Sequence, residues 1–290
     1  MLIKKSMGDR IADIAIAIIM ILVGFATLYP FWYLLSLSMT SSSVPNTEIY
    51  LIPPKFDFTA YWRVLTNPDI GIGFYNTIYR TVFGTAMTVA ATVLLAYPLS
   101  KKDMPFKTLI TGLIVFTMYF SGGLIPTYLL VRDLGLMENR LALMLPGLIS
   151  AFHLIIVRNF FAGLPDALEE SAKLDGANDF VILFRIIMPL SMAIIATLTL
   201  WTAVGHWNAW FDALVYVQNS QKQVLQNVMR RIVLEGIGND IAGIDETTVY
   251  INPENLKAAT IMVTTIPIIM VYPFLQKYFV KGVLVGSLKG

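Results

Sequence analysis

The sequence predicts an all-α polytopic membrane protein with six transmembrane helices. Of its 290 residues, 56% are hydrophobic and only 14% are charged, whereas a soluble domain carries roughly 25% charged residues. A bilayer core about 30 Å thick needs roughly 17–25 apolar residues of helix. Six stretches without Asp, Glu, Lys or Arg reach that length, and they lack the period-2 alternation of barrel strands. They are 14–47, 81–100, 108–131, 141–157, 186–211 and 258–276.

The charged residues that flank these stretches set the limits of the predicted spans. The first apolar run extends from Ile14 to Leu37, which is far longer than the roughly 7–15 residues of a signal-peptide core, so we expect it to stay as an anchor. Arg80 and Arg158 stand at span edges, where we expect both side chains to snorkel. Within a single membrane domain over 1–290, the predicted spans are 12–37, 79–100, 108–130, 141–161, 186–209 and 258–277.

Six spans place both termini on one side of the membrane, and the basic residues indicate which side. Twelve of the 21 Lys and Arg residues fall on the side of the termini, although its loops are shorter, and short cytoplasmic loops are rich in these residues. The clearest case is KKDMPFK at 101–107. We therefore expect this turn, the loop that holds 162–185 and both termini in the cytoplasm. Segments 40–75, 131–140 and 212–257 are expected outside.

Composition and motifs exclude several other classes of protein. The chain has no Cys, so disulfides, thiolate metal sites and a Cys nucleophile are excluded. A net charge of +2 without a dense basic run argues against nucleic-acid binding. The two histidines, His153 and His206, are far apart and lack metal-ligand company, so no metal site is predicted. The motifs HExxH and GxSxG are absent, which argues against an intramembrane enzyme.

A charged, Gly-broken loop at 163–189 interrupts the apolar pattern between spans four and five. The triplet Leu164-Pro165-Asp166 suits the start of a helix, because Pro fits the first turn and an acidic side chain suits the positive helix end. Glu169 and Lys173 have the i,i+4 spacing of an ion pair. We expect Ser171 and Ala172 to form a surface of small residues that another protein can approach closely.

The second half of this loop predicts a turn and another helix. Gly176 can adopt the left-handed conformation that ends a helix, and Asn178 suits the N-cap of the next one. Phe180 and Phe184 then recur on one apolar face. Pro189 should kink this helix where it enters the membrane. The sequence thus predicts a helix–turn–helix on the inner surface.

These residues resemble the EAA loop of the membrane subunits of bacterial ABC importers, whose pattern is E-A-A-x3-G-x9-I-x-L-P. The matching positions are Glu170-Ser171-Ala172, Gly176, Ile186 and Met188-Pro189. Ser171 replaces the first Ala and Met188 replaces Leu, and both replacements are close in size. The triplet Asp175-Gly176-Ala177 also matches the D-G-A often found inside that loop.

The resemblance implies that this loop is a coupling helix docked in a cleft of a separate ATP-hydrolysing subunit. Glu170 would meet a basic residue there, Gly176 would shape the turn, and Ala172 and Ala177 would pack closely. The chain has no G-x-x-x-x-G-K-[ST] phosphate loop, so we expect it to hold no cofactor, with ATP and Mg on the partner ATPases. The implied coupling residues are Glu169, Glu170, Ser171, Ala172, Asp175, Gly176, Ala177, Ile186 and Pro189.

Other stretches are similar to the carbohydrate-uptake branch of these importers, and more narrowly to oligosaccharide and uronide permeases and the maltose transporter's shorter membrane subunit. They are the N-terminal span, MYFSGGLIPTYLL, HWNAWFDALVY and KYFVKGVLVGSLKG. The resemblance implies a multi-pass protein of the bacterial plasma (inner) membrane that transports a sugar. Its implied partners are a second homologous permease subunit, two ATP-binding subunits and an extracytoplasmic solute-binding protein.

Sugars are held by aromatic faces and hydrogen-bonding side chains, which suggests residues for the translocation path. These are Tyr119, Ser121, Tyr128, Asn159, Trp201, His206, Trp207, Asn208 and Trp210. The extracytoplasmic loop 212–257 is the expected contact for the binding protein, through Asp212, Arg230, Arg231, Glu235 and Asp240. The tail 281–290 is expected to lie against the ATPases.

Two alternatives stay open at this point. One is an ABC importer permease for a non-sugar solute, such as an amino acid, a polyamine or an inorganic anion, because the EAA loop is shared by these importers. The other is a secondary transporter that works alone. The second alternative predicts ionisable groups for ion coupling inside the spans, and the six charge-free stretches contain no Asp or Glu.

Overall fold

The computed structural model describes residues 7–46, 48–234 and 251–287. Within these residues the chain is helical and contains no strand, with one isolated antiparallel bridge between Thr40 and Phe56. Helices α1 to α6 are Met7–Ser38, Thr59–Thr66, Pro68–Ser100, Lys107–Tyr119, Leu124–Asp133 and Ala151–Ala162. Helices α7 to α12 are Ala167–Leu174, Asp179–Leu190, Met192–Asn208, Phe211–Tyr216, Leu225–Leu234 and Pro253–Ser287. Short 3-10 turns lie at Arg140–Leu143 and Ser220–Lys222.

Two helices among the described residues are long and apolar enough to cross a membrane alone. These are α1, with 32 residues, and α3, with 33. Three further candidates are bent pairs: α4 with α5 at 113°, α6 with α7 at 72°, and α8 with α9 at 83°. Helix α12 contains the range 258–277 that was predicted as the sixth span. The count of six and the orientation stay predictions.

The bent pairs differ from the straight spans predicted at 108–130, 141–161 and 186–209. The first break falls at Ser121-Gly122-Gly123, where Gly123 has φ +85 and Gly disfavours continuous helix. In the second case, α6 begins only at Ala151, and Ser150 accepts a hydrogen bond from the His153 amide as its N-cap. Twelve residues of α6 give about 18 Å of helix, which is shorter than a bilayer core of about 30 Å. Counting charges alone cannot detect such breaks.

The chain divides into two compact units, of which the first comprises residues 1–67 and 229–265. In this unit the buried Asn255 joins the start of α12 to the segment after α1. Its Nδ2 donates to the Thr40 carbonyl at 2.6 Å, and its Oδ1 accepts from Asn46 Nδ2 at 3.0 Å. Most of α1, in contrast, is exposed along its length, as a helix in contact with lipid or another subunit would be.

The second unit comprises residues 68–228 and 266–290, and its core holds the candidate site. Helices α6 and α9 both pack on α3. The buried cluster between them also receives side chains from α7 and α8, so the loop 163–189 is part of the folded core. Its members include Val93, Ala96, Leu154, Val157, Ala172, Ile182, Leu183, Ile187 and Leu198.

Candidate functional site

The loop at 163–189 folds into α7, a tight turn and α8, as the sequence predicts. Gly176 has φ +78, and its amide donates to the Lys173 carbonyl at 3.0 Å. The next amide, of Ala177, donates to the Ala172 carbonyl at 2.9 Å, so the two bonds form a Schellman end that needs a left-handed residue. Asn178 Oδ1 accepts from the Val181 amide at 2.9 Å. The predicted Gly turn and Asn N-cap are therefore confirmed.

Helix α7 is seated on the core of its own subunit through one small residue. Ala172 is 7% exposed and packs within the cluster that also contains Ile182 and Ile187 of α8. Ala177, in the turn, packs against the same cluster. Of the two residues predicted to form a surface of small side chains, only Ser171 is exposed, and Ala172 is buried in the core.

The basic turn after α3 forms an ion pair with α7. Lys101 Nζ donates to Glu169 Oε1, and both side chains are about one-fifth exposed. The predicted pair between Glu169 and Lys173 is wrong, because Lys101 occupies Glu169 and Lys173 lies 3.8 Å from Asp179 instead. The ion pair with the 101–107 turn thus helps to set which side of α7 points towards the core.

A second ion pair joins the same two segments at the surface. Lys102 Nζ donates to Asp166 Oδ2 at 2.6 Å, and both side chains are exposed. This hydrogen bond, together with the attraction of the two charges, lowers the pKa of Asp166 and raises the pKa of Lys102. Each group therefore favours its charged form, although water and salt screen the interaction.

The outward face of α7 combines charge with an exposed apolar residue. Glu170, Ser171 and Asp175 are exposed, and Leu174 is 89% exposed. A large apolar side chain at that exposure favours a protein partner. Sequence reasoning missed Leu174, although a signal existed. Leu174 follows Glu170 by four residues and so lies on the same helical face.

Helix α8 widens before it meets α9. Residues Leu183–Ile187 form a π turn, in which the Met188 amide donates to the Leu183 carbonyl. Pro189 has no amide hydrogen and its ring crowds the carbonyl four residues earlier, which favours this widening. The 83° bend follows at Ser191, two residues after the predicted kink. Ile186 lies within the π turn and is half-buried.

At the other end of α3, the snorkelling predicted for Arg80 is wrong. Arg80 is 4% exposed, and its Nη1 donates to Asp212 Oδ1 at 3.0 Å and to the Ala209 carbonyl at 3.3 Å. Its Nη2 pairs with Asp212 Oδ2. Helix α3 begins at Pro68, so Arg80 lies one-third of the way along the helix rather than at its edge. Arg158 is half-buried, and its Nε donates to the Leu99 carbonyl.

Asp212 was predicted to contact a binding protein, and Arg80 is its partner within the chain. Its contact with a binding protein stays a prediction. Of the other residues named for that contact, Arg230 is exposed and Arg231 is half-buried, both on α11. Glu235 and Asp240 lie outside the described residues, as do the last three residues of the tail 281–290.

The aromatic residues named for the translocation path lie in separate places. The Trp201 ring stacks on His153 with centroids 5.5 Å apart, and Phe152 lies 6.5 Å from the same ring. Elsewhere Tyr128 stacks on Tyr216 at 6.4 Å. Trp201 and His153 are distant in sequence, so their pairing could not be predicted without the packing of α6 on α9.

The remaining path candidates are equally dispersed. His206 fits against Gly84, where an added Cβ would lie only 2.6 Å from Nε2. The Trp207 ring lies 6.4 Å from Phe74, and Trp210 meets Phe211 edge-on. The candidates Tyr119, Ser121, Asn159 and Asn208 are all exposed. Across the described ranges, no group of three or more acidic or histidine side chains could hold a metal ion.

Long apolar helices, bent helix pairs and a polar helix–turn–helix seated on the core are features of an α-helical membrane protein, and its class as a permease follows from its family. The chain belongs to the family of binding-protein-dependent transport system inner membrane components, whose family model matches residues 74–285. That range includes the whole 163–189 loop. Members of this family are transport components of the inner membrane and not enzymes. The resemblance to ABC importer permeases is confirmed.

Relatives and a solved structure support the same assignment. Protein LplC of Bacillus subtilis (strain 168) is 41% identical over 287 residues, which cover 98% of this chain and 96% of LplC. The polygalacturonan/rhamnogalacturonan transport system permease protein YtcP of the same organism is 40% identical over 288 residues, covering 98% and 100%. A crystal structure of a bacterial ABC transporter involved in the import of the acidic polysaccharide alginate contains a similar chain. That chain has a TM-score of 0.88 and 34% identity, covering 95% of this chain and 99% of that one.

Proposed function

We propose that the chain is one of two homologous membrane subunits of an ATP-driven, binding-protein-dependent importer, and that it forms half of the path for an oligosaccharide. The observation that carries the proposal is the seated loop 163–189. Its inner face packs into the core at Ala172, and its outer face presents Glu170 and Leu174. A loop built in this way can bind a partner and pass force to the helices.

The contacts of α7 and α8 supply a mechanical link. When ATP closes the two ATPase subunits, α7 moves with the cleft in which Glu170 and Leu174 are held. Helices α7 and α8 share one buried cluster, so they move together. Helix α8 meets α9 at the Ser191 bend, and α9 packs on α3. A tilt of α7 therefore reaches the spans, where access alternates as the two membrane subunits rock.

ATP and Mg belong to the ATPase subunits in this proposal, since this chain has no phosphate-binding loop. The position of α7 supports a cytoplasmic placement. The ion pair between Lys101 and Glu169 puts the basic 101–107 turn beside the loop, and the positive-inside rule places that turn in the cytoplasm. The loop 212–257 then faces outwards, where the solute-binding protein delivers its cargo.

The substrate proposed is an oligosaccharide that contains uronic acid units. A relative at 40% identity is named for polygalacturonan and rhamnogalacturonan, and the similar solved structure is described for alginate. Both of those substrates are acidic. The stacked rings of Trp201 and His153 offer an aromatic surface of the kind on which sugar rings lie. Amino acids, polyamines and inorganic anions are the competing substrate classes.

The test is ATP-driven uptake into vesicles that hold the complete purified complex, with a panel of labelled neutral and uronic oligosaccharides. We expect a uronic oligosaccharide to enter only when ATP and the binding protein are both present. Glu170→Lys should abolish uptake and loosen the ATPase subunits, because it reverses the charge on the proposed docking face. Asp133→Lys is the matched control, since Asp133 is equally an exposed acidic residue but lies at the far end of α5.

Each part of the proposal fails on a different result. Normal uptake by the Glu170→Lys complex would mean that the loop 163–189 only connects two spans and does not couple ATP hydrolysis to transport. ATP hydrolysis without uptake of any sugar would leave the importer assignment standing and overturn the sugar class. Uptake without ATP would favour a secondary transporter.

A further inference from the structure

Two cavities meet along one face of α3, where α8 lines both, α9 also lines the first and the 101–107 turn also lines the second. The first has a volume of about 510 Å³ and nearly apolar walls. The second has a volume of about 600 Å³ and lies towards the 101–107 turn. Leu94 lines both cavities, so together they form one groove, which we call the α3 groove.

The long arm of the α3 groove has the dimensions of a lipid chain. Val82, Ala86, Ala90 and Leu94 line it at intervals along α3. The twelve helical steps from Val82 to Leu94 span about 18 Å, and one leaflet of a bilayer core is about 15 Å thick. The small side chains of Ala86 and Ala90 leave the space open. Phe184 of α8 forms the opposite wall.

The short arm of the groove carries charges of both signs. Lys101 and Lys173 line it together with Asp103 and Asp179. Lys101 is held by Glu169. The contact of Lys173 with Asp179 is loose at 3.8 Å, and Asp103 is exposed. Lys173 and Asp179 could therefore exchange this loose contact for contacts with a ligand that bears both a cation and an anion, and the exposed Asp103 could bind the same ligand.

A buried residue whose hydroxyl is unpartnered also lines the short arm. Tyr97 is 6% exposed, and its hydroxyl has no hydrogen-bond partner among the residues that the structure describes. A buried polar atom without a partner is costly, and a bound group that accepts its hydrogen bond removes that cost. An anionic oxygen in the short arm would accept from this hydroxyl.

We propose that the α3 groove binds one phospholipid with a zwitterionic phosphoethanolamine headgroup. Its acyl chain would lie along the long arm, from Leu94 towards Val82. Its phosphate would accept hydrogen bonds from Lys173 and the Tyr97 hydroxyl. Its ammonium would donate to Asp103 and Asp179. A phosphocholine headgroup lacks these N–H donors, and a phosphoglycerol headgroup has no cation to satisfy the two carboxylates.

The bound lipid would touch the helix that follows α7. Phe184 lies in the π turn of α8, and Met188 also lines the groove. A lipid there would support α8 against α3 while α7 moves. The site depends only on placement of this chain in a membrane, and it does not depend on which solute the importer carries.

The test exploits the absence of cysteine from the chain. A fluorophore is attached to Ala90→Cys, inside the groove, or to Leu95→Cys, which is exposed on the same helix but does not line the groove. The wild-type complex reports background labelling. Each labelled complex is placed in nanodiscs that contain brominated phosphoethanolamine, phosphocholine or phosphoglycerol lipid, and quenching is measured against bromolipid fraction.

At position 90, we expect phosphoethanolamine lipid to associate about fivefold more strongly than phosphocholine lipid, because only its ammonium has N–H groups that can hydrogen-bond to the carboxylates. At position 95 the lipids should quench equally. The double variant Asp103→Asn with Asp179→Asn should remove the preference at position 90 without changing position 95. Melting of this variant at the wild-type temperature shows that the fold is intact.

Three results would overturn the proposal. Equal quenching by all lipids at both positions means ordinary lipid contact. Absence of quenching at position 90 means that another protein segment fills the groove. Stronger association of phosphoglycerol lipid, or a preference that survives the double variant, means that Asp103 and Asp179 do not select the headgroup. The experiment measures lipid contact and not uptake, so it can fail while the transport proposal stands.

Discussion

The two ends of the second unit are both held by ion pairs, and the pairs differ in burial. At one end, Arg80 is buried and pairs with Asp212 through both guanidinium nitrogens. At the other end, Lys101 pairs with Glu169 with about one-fifth of each side chain exposed, and Lys102 pairs with Asp166 at the surface. A buried charge that loses its partner is strongly destabilising, whereas an exposed pair contributes little. The Arg80 end therefore depends on a buried charge, whereas the α7 end combines more exposed ion pairs with apolar packing and turn geometry.

This difference suits the proposed division of labour. In the proposed mechanism α7 follows an ATPase subunit and returns, so contacts that release and reform at low cost are an advantage there. The cluster around Ala172 keeps α7 joined to α8 through the movement. The pair of Arg80 with Asp212 ties α3 to α10, and we expect that end to behave as one rigid piece. Four substitutions test the comparison.

Asp212→Ala should have the largest effect, because it leaves the Arg80 guanidinium buried without its carboxylate. We expect a loss of about 3 kcal/mol in the free energy of unfolding, measured as a fall in melting temperature of the purified complex. The double variant Arg80→Met with Asp212→Leu removes both charges and should recover much of the loss. A double variant as unstable as Asp212→Ala would contradict the buried-charge explanation.

Ala172→Leu should have the next effect, because it forces a larger side chain into the cluster beneath α7. Overpacking of this kind costs about 1–3 kcal/mol, and we expect ATP-driven uptake to fall with it. Ser171→Leu is the matched control on the exposed face, and its melting temperature should stay near wild type. Equal melting of the two variants would show that α7 is not seated through Ala172.

Gly176→Ala should cost about 1–2 kcal/mol, because the left-handed conformation is strained for a residue with a Cβ. Gly176→Asn is the graded control, since Asn tolerates this conformation better. We expect melting temperatures in the order Gly, Asn, Ala. Gly147→Ala, where the backbone has no such conformation, should change the melting temperature least. An Ala variant at 176 that melts like wild type would contradict the Schellman geometry.

Lys102→Ala should have the smallest effect on the free energy of unfolding. High salt should abolish this effect, because the ion pair is exposed and screened. The contribution of Asp166, whose pKa is lowered, is present above its unfolded pKa and is lost as pH falls through the folded value. The contribution of Lys102, whose pKa is raised, is lost as pH rises through its folded value. Melting measured from acidic to neutral pH at low salt should therefore differ between wild type and variant only above the Asp166 transition. A large difference at high salt would contradict this.

The sequence predicted the helical class and the local shape of the loop at 163–189. Gly176 and Asn178 were predictable because turn and cap chemistry are local. The ion-pair partners of Glu169 and Arg80 could not be predicted from the sequence. Lys101 meets Glu169 only after α3 and α7 pack, and Asp212 is more than a hundred residues away from Arg80 in the chain. A stretch without charges shows that a segment is apolar, but it does not show that the helix is continuous. The break at Gly123 was therefore missed, and the bend at Ser191 was predicted two residues too early, at Pro189.

The most direct test of the coupling proposal is photo-crosslinking from the outward face of α7. A photoreactive group is attached to Ser171→Cys, and to Gln218→Cys as an exposed control in the segment that we predict to lie outside, in the complete complex before and after ATP addition. We predict adducts between position 171 and the ATP-binding subunits, and none between those subunits and position 218. Failure of position 171 to crosslink, while position 218 does, would contradict the placement of the loop 163–189 at the ATPase.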